Sequence, residues 1–146
     1  MAGLAVACAA ILAFSATVSP AATFKNVYWI DLYYSAEKHP DFVYFVANAG
    51  GQVRHVKWKN WGGRKSVGRG RFVDTSAHYP GKPNQNGPAK LIASKPIKCT
   101  PRDGNKKGKT IRVYRKVILR HPDGKGGRHV DNVSPTAGYL TCAERK

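Results

Sequence analysis

Over residues 66–73 the chain alternates with a period of two: Ser66, Gly68, Gly70 and Phe72 fall on one side, Val67, Arg69 and Arg71 on the other. That period marks a β-strand, whose successive side chains point to opposite faces. Residues 42–47, Phe-Val-Tyr-Phe-Val-Ala, are rich in β-branched and aromatic types and predict a second strand. Asn48-Ala49-Gly50-Gly51 follows, and such residues tolerate positive φ, so a hairpin turn is expected. Residues 52–58 predict the returning strand, with Arg54, Val56 and Trp58 on one face and Val53, His55 and Lys57 on the other. Neither set is uniformly apolar, so neither face is expected to be fully dry. Residues 89–99 and 110–119 predict two more strands, and the second slips out of alternation near Arg115-Lys116, where a bulge would fit.

Residues 23–34 predict a first strand or extended lead-in, and residues 139–142 a last short strand. Residues 35–41, 75–88, 100–108 and 121–124 carry turn residues, and residues 125–135 read as irregular. No stretch holds a helical period over three turns. The 15 glycines and 9 prolines sit largely at the turns. The whole predicts an all-β fold, an antiparallel sandwich or small barrel.

The first 23 residues contain no charged side chain. Their apolar run, from Leu4 to Val18, is too short to span a bilayer, which takes about 20 residues, and it ends in Ser19-Pro20-Ala21-Ala22. Residues 1–22 therefore read as a signal peptide cleaved near Ala22, and residues 23–146 as one domain of an exported protein. An uncleaved anchor is the alternative, and Cys8 has a loose likeness to a lipid-acceptor cysteine. Cys99 and Cys142 remain, and an even pair in an exported chain predicts a disulfide; two free buried thiols are the alternative. Neither cysteine has a second ligand at zinc spacing, so no metal and no cofactor is expected.

Residues 53–72 read Val-x-x-Val-x-Trp-x-x-Trp-Gly-Gly, then Val-Gly-x-Gly-x-Phe. This resembles a hairpin signature of small secreted actinobacterial β proteins that have no assigned activity. The resemblance covers about residues 41–119 and implies export and a β fold. It implies no chemistry. Within it, glycine in a strand marks close packing of something bulky. Gly68 and Gly70 are expected to lie beneath an indole of Trp58 or Trp61, which gives all four a structural role.

Charge changes the picture most. The 25 Lys and Arg against 8 Asp and Glu give a formal net charge of +17. A field of this sign outside a cell draws anionic polymers: cell-envelope polymers, anionic head groups or nucleic acid. Lys57, Arg64, Lys65, Arg69 and Arg71 are the expected contacts, with Arg112 and Arg115 as a second patch. Generic solubility is the bland alternative. Tyr44, Trp58, Trp61 and Tyr114 would stack bases only if exposed. A metal-independent nuclease is the rival from another class, with His55 and either His121 or His129 as base and acid beside a cation. Serine-hydrolase, zinc-protease and phosphate-loop motifs are absent, and the scattered carboxylates speak against glycosidase chemistry. The oligomeric state is not readable from the pattern.

Overall fold

The alternating segments pair into one eight-stranded sheet in the computed structural model, which describes residues 23–45, 51–74, 81, 83–134 and 142. The signal-peptide reading, Cys8, the turn at 48–50 and the last strand at 139–142 fall outside these residues, Cys142 itself excepted. The strands are β1 (Val27–Ile30), β2 (Ala36–Glu37), β3 (Val43–Tyr44), β4 (Gln52–Lys59), β5 (Lys65–Val73), β6 (Gly87–Cys99), β7 (Ile111–Pro122) and β8 (Arg128–Asn132). Their order is β2-β1-β7-β6-β5-β4-β3, with β8 also paired to β7. Neighbours are antiparallel except β1 and β7, which run parallel. The fold is all-β, as expected.

The sheet curls on itself. Thr23 bridges Gly63, the Phe24 amide donates to the Gly62 carbonyl, and Trp61 Nε1 donates to the Val27 carbonyl. Tyr114 accepts from the Gly62 amide and donates to the Gly63 carbonyl. The turn between β4 and β5 is thereby fastened to the lead-in of β1 and to β7. Enclosed between them is the larger core: Val27, Trp29, Val53, Val56, Phe72, Leu91, Tyr114, Val117 and Leu119, among others. A smaller cluster of Ile30, Ala36, Cys99, Ile111 and Val113 lies against β2, and the Cys99–Cys142 disulfide, with Cα atoms 5.2 Å apart, joins it.

Two irregularities decide which side chains face in. In β4 the register slips between Arg54 and Lys57, and His55 takes φ +54°. The extra residue puts both Val53 and Val56 in the core and both Arg54 and Lys57 toward the outer face, so the alternation expected from an unbroken strand does not hold. The expected irregularity near Arg115-Lys116 is centred on its partner strand: Lys95 has φ +57° and the β6–β7 ladder skips the Lys95/Arg115 position. Beyond this interruption Val113 joins the smaller cluster, while its neighbour Tyr114 joins the larger one.

Other expectations shift. Within the region read as irregular, residues 128–132 form β8, because a five-residue turn lets them return along β7. Asp123 Oδ1 accepts the Lys125 and Gly127 amides in that turn. Those amides, Lys125 first, hold its carboxyl below the ordinary carboxylate range. Residues 35–41, read as a turn, contain β2, whose Ala36 amide and carbonyl are both bonded by the Asn105 side chain.

Candidate anion-binding face

Strand register assembles the cations. Lys57 pairs with Arg69, Arg69 with Lys90, and Lys90 with Arg120. These are outward positions, because their chain neighbours Val56, Gly68, Leu91 and Leu119 are buried. With strands about 4.8 Å apart, the four side chains form a row about 14 Å long across β4, β5, β6 and β7. One row along, Arg54 pairs with Arg71 and Arg71 with Pro88. No acid occupies any of these positions. Like charges directly opposite one another in a sheet repel, so the face holds six cations in opposition, four in one row and two in the next.

Three of the acids are engaged elsewhere. Asp31 Oδ1 accepts the Tyr33 and Ser35 amides, Asp41 lies 3.6 Å from His55, and Asp131 lies 2.9 Å from both His121 and His129.

Of the residues predicted from sequence, Lys57, Arg69 and Arg71 stand in these rows, Lys65 starts β5 on the same side, and Arg64 lies in the preceding turn. Arg112 and Arg115 both lie on β7, outside these rows. The Arg112 guanidinium lies 4.6 Å from the Phe24 ring centroid, and Arg115 sits at the ladder interruption. Arg54, Lys90 and Arg120 complete the rows and were not among the expected contacts, because strand register is what sets each of them opposite another cation.

At one end of the face, Pro88, Pro122, Arg128, Asn84 and the glycines of the β7–β8 turn line a cleft of about 420 Å³. At the other end, just before β3, Phe42 is 38% exposed and packs 6.1 Å from Tyr44.

Trp29 is buried, and Trp58 and Trp61 are half-buried against the core. Trp58 and Trp61 meet edge to face at 4.8 Å, and Trp61 meets Tyr114 at 5.5 Å. Trp58 Nε1 donates to the Pro40 carbonyl. Burial pushes the Tyr114 phenol above its ordinary pKa. A Cβ at Gly68 would come within 2.7 Å of Val56 Cγ1 and 3.0 Å of Trp58 Cζ3, whereas one at Gly70 would meet the Arg54 carbonyl and Val53. The indole thus lies over Gly68 alone, and Gly70 lies under the displaced turn of β4. Gly68→Ala should destabilise the domain by about 1–3 kcal/mol, as overpacking does in a close-packed core. Urea unfolding measures this, and unchanged stability would mean that the ring moves aside freely.

The histidines fall into two groups. His55 is at the β3–β4 edge with Asp41. His121 and His129 are cross-strand partners that share the Asp131 carboxylate, a bridging residue that sequence reasoning did not single out. His121 is buried, stacks on Phe72 at 4.0 Å, and has its second ring nitrogen 2.7 Å from the Pro122 carbonyl. Both of its nitrogens are engaged and its ring is sealed, so it is a packing residue. His129 alone of the pair is exposed, and strand alternation puts its neighbour Arg128 on the opposite face. The base, acid and phosphate-binding cation of a nuclease are not brought together here.

Among the described residues, no group of three or more His, Cys, Asp or Glu could hold a metal ion, and no helix is long and apolar enough to cross a membrane. No protein-family model, curated protein or solved structure matches this chain.

Proposed function

We propose that this chain is an exported, non-catalytic binding module whose outer sheet face holds an anionic polymer. The observation that carries the reading is the row Lys57–Arg69–Lys90–Arg120, four cations opposed across four strands with no acid among them. A sheet gains nothing for its own stability from such a row. It gains when a polyanion supplies the missing charge. Arg54 and Arg71 widen the track, and the cleft beside Arg128 ends it. Cell-envelope polymers and nucleic acids are the ligand classes with this chemistry outside a cell.

The test is a salt series. The domain is titrated with inorganic polyphosphate, an oligonucleotide and a purified cell-wall anionic polymer at several ionic strengths. A face that neutralises four anionic groups should give a slope of log affinity against log salt near −3 for a single-stranded ligand. Binding to none of the three at low salt, or a slope near zero, would sink the reading.

A further inference from the structure

We infer that the polymer is a single-stranded nucleic acid, with bases stacked at Phe42 and Tyr44 and phosphates led onto the cation rows. The inference rests on the anion-binding reading above and narrows it. The bulky rings Trp29, Phe45, Phe72 and Tyr114 are buried in the core, and Trp58 and Trp61 pack against it. Phe42 is different: it is exposed and the half-buried Tyr44 packs beside it, whereas the exposed Tyr33 and Tyr34 lie in the turn between β1 and β2. Register pairs Tyr44 with Gln52 and Val43 with Val53, so Phe42 falls opposite Arg54, on the side that carries the cations. The Arg54 guanidinium lies 5.5 Å from the Phe42 centroid, and the next residue across the sheet is Arg71.

An aromatic ring, a guanidinium stacked beside it and a line of further cations form the arrangement that single-stranded nucleic acid requires. Every base offers a π face, and every linkage a charge. Polyphosphate and other polymers without flat rings have no use for the Phe42 edge. A duplex keeps its bases stacked internally and offers only its phosphates. Asp41, the acid at this edge, faces His55.

The experiment is fluorescence anisotropy with labelled oligothymidylate, the same strand hybridised as a duplex, and inorganic polyphosphate as competitor. The single strand should bind more tightly than the duplex at matched salt. Phe42→Ala should lower single-strand affinity about tenfold, the scale of one base–aromatic stack, and leave polyphosphate competition unchanged. Phe42→Leu, which keeps apolar contact but removes the ring, should show the same selective loss and guards against a folding defect. Equal binding of duplex and single strand, or equal effects of Phe42→Ala on both polymers, overturns the inference while the anion-binding reading stands. Failure of both polymers to bind overturns the reading itself.

Discussion

Exchanging Arg69 and Lys90 for glutamate should lower affinity for a polyanion about a hundredfold while making the fold slightly more stable. The two residues are adjacent in the central part of the row, Arg69 between Lys57 and Lys90, Lys90 between Arg69 and Arg120. After Arg69→Glu and Lys90→Glu the row reads positive, negative, negative, positive. Its net charge is zero, and the salt slope should flatten from about −3 toward zero, because no counterions are left to release. Each new opposite-charge pair at the two ends contributes about 0.2–1 kcal/mol to the sheet, offset in part by the new like pair between them. A misfolded variant would lose binding and stability together. This one should lose binding with an unfolding midpoint equal to or above that of the parent. Titration by anisotropy and a melt on the same sample measure both. Retained affinity would place the ligand elsewhere on the molecule.

The second large effect concerns the disulfide. Cys99 ends β6 in the smaller core cluster, buried beside Ile111, and its partner Cys142 is 43 residues further along the chain. The bond closes a loop that contains β7 and β8. Cross-linking removes about 4 kcal/mol of loop entropy from the unfolded chain. Cys142→Ser, which avoids placing a hydroxyl at the more buried end, should therefore cost the domain up to about 4 kcal/mol. In a domain of this size that lowers the melting temperature by roughly 10–20 °C. Calorimetry of the variant, and of the parent with and without reductant, measures it. The two losses should agree. A loss under about 1 kcal/mol would mean that the segment after β8 contributes little to the closed fold.

The parts of the fold legible in the sequence are those governed by local pattern. β5 was readable within a residue of each end, because residues 66–73 alternate cleanly and their glycines point inward. β6 and β7 were readable as strands from their Leu, Ile and Val content. The disulfide followed from counting cysteines. What was not legible depends on long-range register. β8 is short, its burial pattern mostly exposed, and it exists because β7 extends far enough to pair with it. The parallel contact of β1 with β7 has no local signature at all. The candidate site shows the same division. Arg69 and Arg71 stood out as alternate residues on one strand, but Lys90 and Arg120 became part of the site only once Arg69 was paired to Lys90 and Lys90 to Arg120. Asp131 was invisible for the same reason, since its two histidine partners are defined by the β7–β8 pairing.

The displaced residue in β4 sets the phase of the strand. Upstream of His55, odd positions such as Val53 face inward; downstream, even positions such as Val56 do. His55 is itself exposed and in the left-handed region, so its side chain matters little, while the backbone step it takes matters a great deal. A strand of the same length that ran through His55 without the bulge would keep a single phase, and either Val53 and Arg54 or Val56 and Lys57 would exchange sides. One choice would bring the end of the cation row into the core, and the other would bury Arg54. Removing His55 would leave Val53 inward, Arg54 outward, Val56 inward and Lys57 outward in one unbroken phase, so the bulge is what accommodates the one residue that His55 adds to the strand.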